Sequence, residues 1–230
     1  MASEASADPA ADIGPRVAAH RARNGMKVSG LARAVGVSPS LISQIERGQS
    51  RPSVSTLFEL SQALDVPVDA FFRDAEERPP APAPAPVRAS DPPARAAPEP
   101  PDPAPARRRH RYVVRRDERD VIEIEGGVQW ESLTPRPLEE LEFLELVYGP
   151  HAQSSPRLYR HPGTEIALVL SGELHIHIGF ERFDLQPGDS IQFPSSLPHR
   201  YVNPGDVTAR AVTVILHDHP PEQPTANRRP

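Results

Sequence analysis

The chain has 230 residues, a formal net charge of −5, thirty prolines and no cysteine. Without cysteine there are no disulfides and no thiolate ligands, so a bound metal would need histidine, carboxylate or tyrosine. No run reaches the roughly 18 apolar residues that span a bilayer. The opening residues also lack the basic-then-apolar pattern of a secretory signal, so a cytoplasmic location is the expectation.

Residues 1–11 are small, polar and acidic, and are predicted to be disordered. Charge is then distributed unevenly. From Arg16 to Arg51 there are seven basic residues and one acid, Glu46, whereas Arg111 to Leu216 hold ten basic and sixteen acidic residues. A basic module beside an acidic one points to a polyanionic partner for the first.

Residues 12–72 carry helical periodicity: Leu31 and Val35, Ile42 and Ile45, then Leu57, Leu60 and Leu64 recur at steps of three and four. Stops at Asn24-Gly25, Gly36, Gly48 and Pro52 divide them into four or five short helices. Within GLARAVGVSPSLISQIERG, Gly36 suits the left-handed residue that ends a helix. Ser38 is a good cap for the next helix, and Pro39 suits its first position. With Ile42 and Ile45 facing inward, Pro39, Ser40, Ser43, Gln44 and Arg47 are left outward. Two helices joined by a tight turn, the second polar on its outer face, make a helix-turn-helix.

Residues 13–72 resemble the lambda-repressor-like, Xre-type DNA-binding domain, in "VS-S-ISQIERG" and "RPS--TL--L--AL". The resemblance implies an all-α domain of five helices that binds double-stranded operator DNA. It implies base-edge contacts by Pro39, Ser40, Ser43 and Gln44, the last able to bond bidentately to adenine. Backbone contacts fall to Lys27, Val28, Ser38, Arg47, Ser50 and Arg51. It also implies a structural pair between Arg21 and Glu46. Lys27 stands where the family often has a Ser or Thr cap, so that cap is weaker here.

Residues 73–110 hold twelve prolines and almost no large apolar side chains. Such a segment cannot offset its ordering entropy by burial and reads as an extended, disordered Pro/Ala-rich linker. From Tyr112 the pattern turns to period two, punctuated by Gly-Gly, Pro-Gly-Asp and Asn-Pro-Gly-Asp turns, which argues an antiparallel all-β sandwich or barrel. Residues 111–217 form this second domain, and 218–230 read as a disordered tail. In HIH (175–177) the flanking Leu174, Ile176 and Ile178 take the buried face, so both histidines are expected to point outward.

Two motifs carry chemistry here: His161-x3-Glu165-x6-Gly172, and Gly188-x5-Pro194-x4-His199-x3-Asn203. Together they resemble the cupin superfamily, a jelly-roll barrel. Metal-binding cupins lead the first motif with a further histidine, where this chain has Tyr159. His161, Glu165 and His199 remain, a ligand set chemically adequate for a divalent metal such as Zn, Fe, Mn or Ni. The order of domains resembles Xre-type regulators with a C-terminal cupin sensor. That resemblance implies a non-enzymatic transcription regulator, homodimeric through its cupin domain. Its pocket would present Tyr159, His161, Glu165, Gln192 and His199 to a small-molecule effector. The alternatives are a metal-dependent cupin enzyme of the dioxygenase or isomerase type tethered to a DNA-binding domain, and a metal-sensing regulator.

Overall fold

The computed structural model describes residues 13–72, 110–138 and 140–217. The expectations for 1–11, for the linker up to residue 109 and for 218–230 lie outside the described residues.

The first domain consists of α1 (Gly14–Arg23), α2 (Val28–Val35), α3 (Pro39–Glu46), α4 (Val54–Leu64) and a 3-10 turn, Val68–Phe71. Val17, Leu31, Val35, Ile42, Ile45, Leu57, Leu60 and Leu64 are buried together, so the three-and-four spacing does mark one core. Gly36 ends α2 at φ 74°, and Ser38 Oγ accepts the Leu41 N–H at 3.2 Å to start α3. Lys27 caps α2 without any side-chain bond. Arg21 donates two bonds to Glu46, at 2.5 and 3.0 Å, and a third to the Met26 carbonyl, tying α1 to the end of α3. The count of five helices needs correction. Asp65 turns left-handed at φ 55° and Pro67 follows, leaving Val68–Phe71 room for a single 3-10 turn.

The second domain is all-β: β1 (Val121–Ile124), β2 (Val128–Ser132), β3 (Leu141–Tyr148), β4 (Thr164–Ser171), β5 (Leu174–Ile178), β6 (Glu181–Leu185), β7 (Ser190–Pro194), β8 (His199–Val202) and β9 (Ala209–Leu216). Six strands pair in the order β1-β2-β3-β9-β4-β7 and three in the order β6-β5-β8, all antiparallel. Period-two alternation sends Ile122, Ile124, Trp130, Leu146, Ala167, Val169 and Ala211 into the core. Glu165 lies opposite both Phe193 and Ile215 and shares their inward face. On the outer face of the larger sheet, Arg119 and Arg210 each pair with both Glu131 and Glu145, clamping β2, β3 and β9.

The two domains touch through α4 and its flanks. The Val54 N–H donates to the Ser154 carbonyl (3.1 Å), the Glu125 N–H to the Pro52 carbonyl (3.0 Å), and the Val68 N–H to Glu142 Oε1 (3.1 Å). Arg51 forms an ion pair with Glu123 on β1. Phe58 lies off the Leu57–Leu60–Leu64 stripe, and its ring meets aromatic side chains of the second domain.

Candidate ligand site in the barrel and nucleic-acid interface

Three elements bring the barrel site together. His161 lies in the loop before β4, Glu165 is the second residue of β4, and His199 opens β8. Tyr159 and His199 exchange backbone bonds at 3.0 and 2.8 Å, fastening that loop to β8. The His161 N–H donates to the Ser195 carbonyl, and the Ser195 N–H donates to the Gly163 carbonyl. Gly163 sits at φ 107°, and a Cβ there would overlap the Leu216 carbonyl oxygen. Gly163→Ala is therefore expected to cost more than about 1 kcal/mol in a denaturant melt and to weaken any guest of the site, because it moves His161 relative to Glu165.

The resulting geometry brings two imidazoles and one carboxylate together. One ligand atom each from His161, Glu165 and His199 lies within 4.8 Å of the others, and all three residues are buried. His199 Nδ1 contacts the Leu197 carbonyl at 2.8 Å and His161 Nδ1 the Pro162 carbonyl at 3.2 Å. A carbonyl only accepts, so both Nδ1 atoms carry hydrogen and each ring turns its Nε2 toward Glu165. Those Nε2 atoms have no hydrogen-bond partner among the described residues, and they lie 3.4 and 3.5 Å from Glu165 Oε2. Burial depresses the His199 pKa, against a partial opposing pull from Glu165, and so favours its neutral ring. Burial pushes the Glu165 carboxyl upward, but its contacts with the two histidines and Tyr201 outweigh that and hold it below its ordinary value. Two buried imidazole nitrogens without a hydrogen-bond partner beside one buried carboxylate make a place for a cation or a hydrogen-bond donor. A divalent metal fits this donor set, with His161, Glu165 and His199 as its ligands.

The carboxylate is held from behind. Tyr201 OH donates to Glu165 Oε1 at 2.6 Å, and Thr213 Oγ1 approaches the same oxygen at 3.4 Å. Neither residue was singled out from sequence. Tyr201 follows His199 by two, and period two places it on the same inward face. Tyr159 is buried edge-on to His199, with ring centroids 4.5 Å apart. Its phenol is kept protonated first by burial and then by the neighbouring Tyr148 and Glu165, so it stands beside the cluster as a neutral wall. Gln192 is not brought to the cluster. It is exposed on β7 opposite Ile166, whereas Glu165 faces Phe193, because neighbouring strand residues point to opposite faces. Gln192 instead borders an open groove of about 440 Å³ with Phe183, Phe193 and Leu197.

Phe58 of α4 also escaped the sequence reading. Its ring stacks on His161 at 3.9 Å between centroids and 7° between planes, and it also meets Tyr159 and Trp130 at 5.8 and 5.6 Å. An aromatic residue off the buried stripe of a helix was its signal. The HIH histidines do face away from the core: His175 bonds Glu173 at 3.0 Å, between buried Leu174 and Ile176. His151 lies in a turn beside Asp206.

On the first domain, Lys27, Ser38, Pro39, Ser40, Gln44, Arg47 and Arg51 are exposed, while Val28, Ser43 and Ser50 are half-buried. Lys27 and Val28 stand at the start of α2, Ser38 to Gln44 at the start and along α3, and Arg47, Ser50 and Arg51 after its end, with Arg51 at the domain junction. Arg47 also donates to Gln49.

A helix-turn-helix family model matches residues 17–71 and a cupin-domain model matches residues 144–215. The HTH-type transcriptional regulator SutR of Escherichia coli is 25% identical over 195 residues, covering 85% of this chain and 89% of that protein. The HTH-type transcriptional regulator PuuR of Escherichia coli is 25% identical over 212 residues, covering 90% and 94%. A crystal structure of an HTH_3 family transcriptional regulator from Vibrio cholerae superposes with a TM-score of 0.58 at 22% identity, covering 91% of this chain and 97% of that one. That likeness shows a shared fold.

Proposed function

We propose how this chain, a transcriptional regulator joining an Xre-type helix-turn-helix domain to a cupin domain, performs its role. It binds operator DNA as a homodimer, and its affinity responds to a guest held by His161, Glu165 and His199. The observation that carries this reading is the pair of buried imidazole nitrogens, without hydrogen-bond partners, facing one buried carboxylate. The guest is electron-poor: a divalent metal, or a small metabolite presenting a cationic or hydrogen-bond-donating group. A resident metal would supply a Lewis-acid anchor for an anionic or carbonyl-bearing effector. The chain's own residues hold the carboxylate, fix both imidazole tautomers and exclude water.

Pairing of two chains draws support from the outer sheet face. Phe143, Val214 and Ile166 lie side by side across β3, β9 and β4, with Val212 and Leu168 as the adjoining pair. Phe143, Ile166, Leu168 and Leu170 are exposed. Soluble monomers rarely leave such a contiguous apolar face to water, and a second copy covers it with a self-complementary surface. Leu168→Glu is expected to convert the dimer to a monomer in sedimentation velocity at micromolar concentration. A dimer that survives this change would place the interface elsewhere.

The guest is tested on the full-length chain by thermal melts against divalent metals and a panel of small metabolites. A true guest raises the midpoint by mass action, changes DNA affinity, and loses both effects in His161→Ala. A guest that stabilises the chain yet leaves DNA affinity unchanged contradicts the sensing role. Stoichiometric iron with oxygen-dependent turnover would favour the tethered-enzyme alternative instead.

A further inference from the structure

The junction between the domains bears on both ends of the molecule. Phe58, a residue of the DNA-binding domain, lies flat on a candidate ligand of the cupin site and completes its cover. His161, Glu165 and His199 are each no more than 4% exposed. Six residues before Phe58 the Pro52 carbonyl accepts from the Glu125 N–H just after β1, and Arg51 beside it pairs with Glu123. The helix-turn-helix resemblance also gives Arg51 a contact with the DNA backbone. One carboxylate and one phosphate therefore compete for the same guanidinium. Glu123 and Glu125 add negative charge at this edge, which further disfavours a phosphate there.

We propose that Phe58 and Arg51 form one latch between site and DNA. In the docked arrangement Phe58 lids the cupin pocket while Glu123 withholds Arg51, and the chain binds DNA weakly. A guest that needs the volume of the Phe58 ring lifts α4 from the barrel, breaks the Arg51–Glu123 pair and raises DNA affinity. Such a guest acts only through its preference for the undocked state. By linkage, DNA that captures Arg51 opens the pocket by the same factor. The inference rests on the histidine–glutamate cluster being the guest site, and it adds that the DNA-binding domain supplies one wall of that site.

The molecule carries its own reporter, since Trp130 is the single tryptophan and lies edge-on to Phe58. In the full-length chain at fixed salt, a mixed-sequence duplex is expected to shift Trp130 emission to the red and to increase its quenching by acrylamide. Phe58→Ala should show that shift without DNA and bind the duplex about tenfold more tightly, the scale of one lost aromatic pair. Glu123→Gln leaves the pocket and both cores alone, so it guards against a misfolded Phe58 variant. It should raise duplex affinity about two- to fivefold, in line with one partly exposed ion pair. Zn²⁺ is added as the site probe, and its uptake should be faster in Phe58→Ala than in the parent. If Trp130 is unmoved by saturating DNA and Glu123→Gln binds DNA as the parent does, there is no latch. If Zn²⁺ binds neither parent nor Phe58→Ala while the fluorescence and DNA results hold, the latch stands and the metal reading of the cluster fails.

Discussion

Glu165→Gln is expected to lower the affinity of the full-length chain for Zn²⁺ or Co²⁺ by about 100-fold or more, with a melting temperature close to the parent's. Loss of a partner behind a metal ligand typically costs ~10–100-fold in affinity, and loss of the ligand charge itself should match or exceed that. Stability behaves differently. Glutamine keeps the shape of the side chain and an oxygen to accept from Tyr201, whose bond to Glu165 is 2.6 Å. The substitution removes both the desolvation cost of the buried charge and the contacts that offset it, so the two losses oppose each other. Isothermal titration beside a thermal melt separates the two effects. Unchanged metal affinity would mean that the ion binds elsewhere and that Glu165 serves the fold.

Gln44→Ala and Arg47→Ala are expected to fail in different ways. Gln44 is exposed on α3, which is set by the Ser38 cap and by burial of Ile42 and Ile45 on its opposite face. A bidentate glutamine–adenine pair is worth about 1–3 kcal/mol of discrimination, or roughly 5- to 150-fold. Gln44→Ala should therefore collapse the ratio of operator to random-sequence affinity by that factor, with its salt dependence kept. Arg47 lies at the end of α3 and carries no base pattern. Its loss should weaken binding to every duplex and lower the slope of affinity against salt by about one unit. Selection from a random duplex library, followed by salt titrations on the winner, reads both. An unchanged operator ratio in Gln44→Ala would place a different side chain against the bases.

Much of the molecule was legible because its signals are local. The Gly36–Ser38–Pro39 turn needs a left-handed residue, a cap oxygen and a proline without an N–H, and the chain supplies them in order. The inward and outward faces of β4 and β5 likewise follow from period two, which is why His175 was assignable away from the core. Gln192 shows where that logic needed one more step. The resemblance put it in the pocket, but its place in the alternation, opposite that of Phe193, turned it outward. The fifth helix failed for a related reason, since apolar spacing alone does not register the left-handed Asp65 or the stop at Pro67.

By itself the sequence determined the two-domain order, the helix-turn-helix with its outward face, and the identity of His161, Glu165 and His199 as a matched set. The first two rest on local patterns of charge, caps and periodicity, and the last on the resemblance of its two motifs to those of cupins. Only the tertiary structure decided that two imidazole nitrogens face one carboxylate, that Tyr201 holds that carboxylate, and that Phe58 covers His161. Apart from His161 and Glu165, four residues apart, those contacts join residues between 34 and 103 positions apart in the chain. No periodicity links such distant positions, because strand pairing and domain packing set their distances.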